Sequence, residues 1–100
     1  MILKICKKND LINKKYLIKF FPELKDELIV FLDENQQINC LSSVCPHLAG
    51  EICYDKKELF CKWHGLKFDF NGQVKNCRYN LKLKKYNAKI IEEYIYVEAE

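Results

Sequence analysis

The chain has 100 residues, of which 49% are hydrophobic and 31% are charged, with only three glycines and two prolines. This balance is typical of one small globular domain and excludes a disordered tail, a collagen-like repeat and a membrane bundle. The net charge is +3, and all but one of the basic residues are lysines scattered along the chain, which argues against nucleic-acid binding.

Nothing in the sequence predicts a membrane segment or an export signal. The longest apolar run covers residues 28–32, far short of the roughly 20 residues that a membrane helix needs. The first residues lack the apolar core and cleavage site of a signal peptide. We therefore expect a cytoplasmic protein, in which six cysteines favour metal ligation or buried thiols over disulfides.

The first half of the chain predicts short β-strands. Apolar, β-favouring residues cover 2–5, 16–21 and 28–32, and a polar turn at 33–37 leads into a returning strand at 37–41. A helix competes for residues 22–32, because Pro22 could begin it and Leu24, Leu28 and Phe31 would share one face. We favour a turn followed by a strand.

The second half also predicts antiparallel strands. Leu66, Phe68 and Phe70 alternate with polar residues. Asn71-Gly72 then predicts a two-residue hairpin turn with positive φ at both positions, with residues 73–75 as the returning strand. Three further strands are predicted at 81–83, 86–91 and 94–97. The whole pattern predicts one small, antiparallel, all-β domain over residues 1–100.

Both histidines of the chain closely follow a cysteine, in Cys45-Pro46-His47 and in Cys61-Lys62-Trp63-His64. The segment between the two motifs is long enough to form a hairpin and return. Two thiolates and two imidazoles would fit either a tetrahedral zinc ion or a [2Fe–2S] cluster in which each iron takes one kind of ligand. Each motif supplies one residue of each kind, which favours the cluster.

The double motif resembles that of the Rieske iron–sulfur proteins, in particular their small soluble ferredoxins. The resemblance rests on the two motifs, on Gly65, on Phe68-Asp69 and Gly72, and on the flanks, which are an opening strand with Asp10-Leu11 and a closing strand at 94–97. It implies an antiparallel β-sandwich or barrel with a cluster-binding subdomain, built from two hairpin loops at approximately residues 43–72. It also implies a Rieske-type [2Fe–2S] cluster whose inner iron binds Cys45 and Cys61 and whose outer, more exposed iron binds His47 and His64.

Several positions depart from the family pattern. Lys62 stands where proline is usual, and the segment 75–80, which normally caps the cluster with prolines, contains none. Gly50 and Trp63 occupy the positions of the extra cysteines of high-potential members, which form a disulfide across the cluster.

The positions that carry hydroxyl groups in high-potential members are Leu66 and Phe68 here. Because hydrogen bonds to sulfur raise the potential, we expect the lower part of the window of roughly −150 to +300 mV. Cys6, Cys40, Cys53 and Cys77 are predicted to be packing thiols, with Cys77 brought towards the cluster by the capping segment.

The resemblance implies a soluble one-electron carrier, and not an enzyme, which passes electrons from a ferredoxin reductase to a terminal oxygenase or similar redox protein. The expected protein is a monomer that binds neither nucleic acid nor membrane. The alternative is a structural zinc-binding interaction module. A complete oxygenase would need a second iron site with two histidines and a carboxylate, and both histidines are already assigned.

Overall fold

The computed structural model describes residues 1–46, 50–63 and 65–98. These residues form one helix and nine strands, which in chain order are β1 (Ile2–Lys7), α1 (Lys8–Lys14), β2 (Tyr16–Phe21), β3 (Asp26–Leu32), β4 (Ile38–Ser42), β5 (Ile52–Asp55), β6 (Glu58–Cys61), β7 (Lys67–Phe68), β8 (Lys85–Ile91) and β9 (Tyr94–Glu98). Six strands form an antiparallel sheet in the order β1-β9-β8-β4-β3-β2, and three form a smaller sheet in the order β5-β6-β7. The larger sheet curls into a half-barrel, and the predicted all-β fold is confirmed.

Strand β3 separates two hydrophobic cores. Ile29 and Phe31 belong to one core, Leu28 and Val30 belong to the other, and all four are 0% exposed. A strand that is buried on both faces reads as a continuous apolar run, which explains the sequence pattern. The preference for a turn followed by a strand over residues 22–32 is confirmed.

We call the two clusters the site core and the barrel core. The site core lies against the smaller sheet and consists of Ile29, Phe31, Leu41, Cys45, Ile52, Leu59, Cys61, Phe68, Val74 and Leu83. The barrel core lies inside the curled sheet and consists of Ile5, Leu11, Phe21, Leu28, Val30, Cys40, Tyr86, Ile95 and Val97.

Aromatic side chains fix the smaller sheet on the larger one. The ring of Phe31 on β3 stacks on that of Tyr54 on β5, with centroids 4.3 Å apart. It also contacts the ring of Phe70 at 5.0 Å, and Tyr16 on β2 meets the edge of Tyr54 at 6.1 Å. Such pairs favour particular ring orientations, so the position of β5 and β6 is set by the rigid centre of the larger sheet.

The loop after β7 differs from its prediction. The N–H of Asp69 donates to the carbonyl of Gln73 (2.9 Å), which closes a three-residue loop over 70–72. Asp69 Oδ1 accepts the N–H groups of Asn71 and Gln73 at 2.9 and 3.0 Å. Only Gly72 takes a positive φ, of 91°. The hairpin itself is confirmed by the Phe68–Val74 bridge, but the two-residue turn is wrong, because the Asp69 carboxylate stabilises a longer loop.

Two other predicted elements are corrected. Asp10 and Leu11 lie in helix α1 and not in an opening strand. The helix is short and buries one side chain, that of Leu11, so it leaves no periodic signal in the sequence. The predicted strand at 81–83 is reduced, among the described residues, to an isolated bridge between Gln73 and Lys82.

Candidate metal centre

The first candidate loop begins at Cys45, three residues after the end of β4. The N–H of Cys45 donates to the carbonyl of Gly50 at 2.8 Å, which closes the loop. Its base is held by Ser43, which is 1% exposed. Ser43 donates from its N–H to the carbonyl of Glu27 (2.7 Å) and from Oγ to Glu27 Oε1 (3.0 Å). Cys45 therefore extends from a segment that is anchored to β3.

The second candidate loop begins at Cys61, the last residue of β6. The N–H of Cys61 donates to the carbonyl of Leu66 at 2.8 Å, and the N–H of Gly65 donates to the carbonyl of Cys61 at 3.1 Å. Gly65 has a φ of 70°, a left-handed conformation that glycine adopts without steric cost. Each loop thus starts with a cysteine whose N–H binds the carbonyl of the residue five positions later.

One short segment, residues 50–52, places the two loops side by side. On one side Glu51 pairs with Val44, the residue before Cys45. On the other side Ile52 pairs with Cys61. Two more hydrogen bonds hold the segment to both loops. The N–H of Ile52 donates to the carbonyl of Ser43 at 3.0 Å, and the N–H of Lys62 donates to the carbonyl of Glu51 at 3.1 Å.

The structure brings together the two predicted cysteine ligands, and both are 1% exposed within the site core. His47 and His64 lie outside the described residues. A buried thiolate is costly in apolar surroundings unless it binds a cation, and thiolates are the soft ligands that iron–sulfur clusters use. The cysteine pair therefore fits the inner iron of the expected cluster. Within the described ranges, no group of three or more His, Cys, Asp or Glu side chains could hold a metal ion.

The rim of the second loop is aromatic and basic. The side chain of Trp63 is 76% exposed and follows exposed Lys62. Further along the chain, exposed Arg78 lies over the ring of Tyr79, which is itself 65% exposed. An exposed tryptophan on a protein of this size is uncommon and is typical of a contact surface.

Two neighbouring lysines, one on β7 and one in the segment that follows it, share a single carboxylate. Glu58 accepts a hydrogen bond from Lys75 Nζ at 3.0 Å and forms an ion pair with Lys67 at 3.4 Å. The hydrogen bond from Lys75, followed by that from Lys67, lowers the pKa of the Glu58 carboxyl. Glu58 therefore offsets part of the positive charge of these two lysines.

The four remaining cysteines are thiols without disulfides. Cys40 and Cys53 are buried, as the packing prediction requires, and Cys6 and Cys77 are half-buried. Burial raises the pKa of Cys40 to about 12 and also raises the pKa of Cys6 and of Cys53. Cys77 packs against the site core, which contains both predicted cysteine ligands.

Sequence reasoning missed one residue beside the second loop. Asn76 Oδ1 accepts the N–H of Lys67 at 2.8 Å, and Asn76 Nδ2 donates to the carbonyl of Gly65 at 3.0 Å. This contact depends on the register between β7 and the segment after it, which the sequence pattern does not reveal. The one available signal was the lack of proline in the capping segment.

Among the described residues, no helix has the length and apolar character to cross a membrane.

Solved structures share this fold along the whole chain. The ferredoxin of carbazole 1,9a-dioxygenase from Nocardioides aromaticivorans IC177 matches with a TM-score of 0.84 and 17% identity, over 100% of this chain and 99% of that chain. The complex of reduced oxygenase and oxidised ferredoxin in carbazole 1,9a-dioxygenase matches with a TM-score of 0.82 and 19% identity, over 96% and 91%. The cyanobacterial plasma membrane Rieske protein PetC3 from Synechocystis PCC 6803 matches with a TM-score of 0.82 and 22% identity, over 97% and 99%. At these identities the likeness shows the fold.

A search of curated proteins found no match to this chain. The family model of the Rieske [2Fe-2S] domain, in contrast, matches residues 1–87. The loops that begin at Cys45 and Cys61 both lie inside that range. The chain therefore belongs to the Rieske [2Fe–2S] domain family, whose cofactor is a Rieske-type [2Fe–2S] cluster.

Proposed function

We propose that this protein is a one-electron carrier whose cluster is bound by Cys45, His47, Cys61 and His64. The observation that carries the proposal is the pair of loops, each opened by a buried cysteine, closed by the same kind of hydrogen bond and placed on either side of residues 50–52. The two cysteines would hold the inner iron and the two histidines the outer one. We assign these loops to a cluster-binding subdomain of approximately residues 43–72 within a single domain of residues 1–100.

The bound cluster supplies a site that gains and loses one electron. The chain's own residues set how easily this occurs, because two thiolates and two neutral imidazoles carry less negative charge than four thiolates. Leu66 and Phe68 offer no hydroxyl group to a sulfur atom, and Phe68 is 0% exposed. We therefore expect a potential in the lower part of the range of roughly −150 to +300 mV.

The route of the electron is also part of this proposal. We assign the chain as the ferredoxin component that passes electrons from a reductase to a terminal oxygenase or a similar redox protein. The likeness to the carbazole 1,9a-dioxygenase ferredoxin supports this assignment. A monomeric state and a cytoplasmic location belong to the same proposal.

The ligand assignment is tested by metal analysis and by electron paramagnetic resonance of the reduced protein. We expect iron and acid-labile sulfide in equal amounts and a spectrum of the Rieske type. Cys45→Ser and Cys61→Ser should each abolish the spectrum, because each removes an inner-iron thiolate. Cys53→Ala is the matched control, since Cys53 is also buried but lies within β5 and is not an assigned ligand.

The zinc alternative predicts a different result from the same preparation. Stoichiometric zinc without sulfide would end the electron-carrier proposal. Loss of the spectrum in Cys53→Ala, or its retention in Cys61→Ser, would contradict the ligand assignment while leaving the carrier function open to other residues.

The charge of the rim predicts how electron transfer depends on salt. Lys62 and Arg78 should attract anionic redox partners, and added salt screens this attraction. Oxidation of the reduced protein by ferricyanide, an anion, should therefore slow as the ionic strength rises. Oxidation by a cationic cobalt(III) complex should not slow. The double variant Lys62→Gln/Arg78→Gln should flatten the ferricyanide dependence, whereas Lys14→Gln on helix α1 should not. Equal salt dependence for the anion and the cation would contradict this prediction.

A further inference from the structure

The strand that follows the Asp69 loop pairs with β7 over a very short distance. Phe68 and Val74 form an antiparallel bridge, and the N–H of Lys75 donates to the carbonyl of Lys67 at 2.7 Å. In an antiparallel ladder of this register, Lys67 lies opposite Lys75 and Gly65 lies opposite Cys77. A regular ladder would continue with two more bonds. In the first, the N–H of Lys67 would donate to the carbonyl of Lys75. In the second, the N–H of Cys77 would donate to the carbonyl of Gly65.

The side chain of Asn76 forms both of those bonds in place of the main chain. Its Oδ1 accepts the N–H of Lys67 at 2.8 Å, where the carbonyl of Lys75 would stand in a regular ladder. Its Nδ2 donates to the carbonyl of Gly65 at 3.0 Å, where the N–H of Cys77 would stand. The primary amide has one acceptor and one donor on the same carbon, as a peptide group offers them. The main chain of 76–80 can therefore leave the sheet while the edge of the second loop stays paired.

We propose that Asn76 is a positioning residue for the cluster, which holds the second ligand loop from its outer edge and takes the part that prolines play in the usual capping segment. This inference rests on the assignment of Cys61 and His64 as ligands. Gly65 directly follows His64 in the sequence, so the bond from Asn76 to Gly65 fixes the main chain one residue from that ligand. The inner edge of the same loop is already tied through the bond from Lys62 to Glu51.

Because Asn76 is exposed, its effect on the position of the loop can be separated from its effect on the stability of the whole fold. Exposed hydrogen bonds compete with water and add little to the free energy of unfolding. The same two bonds tie Gly65 and Lys67 to the segment that follows the hairpin, so they control local opening at the outer edge of the loop. Asn76→Ala should consequently change the loop and the cluster much more than the melting temperature.

The test compares cluster-loaded wild type, Asn76→Ala, Asn76→Asp and Asn80→Ala. Asn80 lies in the same segment, and its Oδ1 accepts a bond from Gln73 Nε2 at 2.8 Å that does not touch the loop. We expect Asn76→Ala to increase hydrogen exchange at the Lys67 amide and iron release to a chelator by about fivefold to tenfold, the factor that corresponds to one lost hydrogen bond. The resonance spectrum should broaden, and Asn80→Ala should match wild type.

Asn76→Asp separates the two bonds. A carboxylate still accepts the N–H of Lys67 but cannot donate to Gly65, so the Lys67 amide should stay protected while iron is released as quickly as from Asn76→Ala. Wild-type iron release from Asn76→Ala, or equal acceleration in Asn80→Ala, would overturn the positioning role. A wild-type protein without iron and sulfide would instead refute the proposed function, so the two failures are distinguishable.

Discussion

Three polar side chains meet where Tyr86 on β8, a member of the barrel core, reaches the start of β3 and the end of β4. The hydroxyl of Tyr86 donates to Asp26 Oδ2 at 2.7 Å, and Ser42 Oγ donates to Asp26 Oδ1 at 2.8 Å. Tyr86 is 7% exposed. Burial, followed by the hydrogen bond to Asp26, raises the pKa of the Tyr86 hydroxyl. The half-buried Asp26 carboxylate is stabilised because both of its oxygens receive donors.

This contact predicts a loss of stability at alkaline pH. The pKa of Tyr86 is higher in the folded than in the unfolded chain, where it is about 10. The contribution of the protonated Tyr86 hydroxyl to the free energy of unfolding is therefore complete below about pH 10. It decreases as the pH rises towards the folded-state pKa. Tyr86→Phe should lower the free energy of unfolding by about 1–3 kcal/mol at pH 7. The difference from wild type should narrow between about pH 10 and 12.

Denaturant unfolding at a series of pH values checks this prediction. Tyr79→Phe is the control, because the ring of Tyr79 is 65% exposed, and it should follow the wild-type curve throughout. A constant difference between wild type and Tyr86→Phe across the alkaline range would show that Tyr86 does not contribute through its proton.

At the scale of elements, the chain builds the same loop twice. Asp33 Oδ1 accepts the N–H groups of Asn35 and Gln37 at 2.9 and 3.0 Å, just as Asp69 does in the loop after β7. The residue with positive φ is Gln36 (62°) in the first loop and Gly72 (91°) in the second. The repeated aspartate shows that side-chain bonding, and not glycine, defines this loop.

The two loops respond differently to substitution. A Cβ at Gly72 would overlap the carbonyl oxygen of Leu83, and the positive φ adds strain. Gly72→Ala should therefore lower the free energy of unfolding by about 2 kcal/mol or more. Gln36→Gly should raise it by about 0.5 kcal/mol, because it relieves the left-handed strain at a small entropic cost. Thermal unfolding of the two variants checks both signs, and a neutral Gly72→Ala would contradict the steric argument.

Strands with strong local patterns were predictable, and elements held by distant contacts were not. Residues 28–32 and 94–97 carry enough apolar and β-branched side chains to specify strands by themselves. Helix α1 depends on Leu11, which packs into a core that β8 and β9, far away in sequence, help to complete. The turn at Asn71-Gly72 was misjudged because the Asp69 carboxylate, two residues earlier, outweighs the local preference of the dipeptide.

At the scale of the whole molecule, the sequence predicts the candidate ligands but not the residues that hold their loops in place. The cysteine and histidine spacing predicts one centre from the sequence alone, and the structure brings Cys45 and Cys61 to adjacent loops. The supports of those loops are Ser43 and Asn76. They act through main-chain bonds whose register exists only in the folded chain, which is why residue types alone did not identify them.

The division into two cores predicts what removal of the cluster does. Both predicted cysteine ligands belong to the site core, and neither of them belongs to the barrel core. Without the cluster, the smaller sheet loses its attachment at Cys45 and Cys61. Strands β8 and β9 keep their packing in the barrel core. Hydrogen exchange of the metal-free protein should accelerate by about tenfold or more in β5 and β6 and remain near holoprotein values in β8 and β9. Uniform acceleration would show that the cores unfold together.

The alternation along β3 also separates two sets of positions for protein engineering. Leu28 and Val30 contact only the barrel core, whereas Ile29 and Phe31 contribute to the packing around the cysteine loops. Repacking the even-numbered positions, together with Cys40 on β4, can therefore adjust thermal stability with little effect on the redox centre. Variation at the odd-numbered positions would instead tune the surroundings of the centre from a distance, without replacing a ligand.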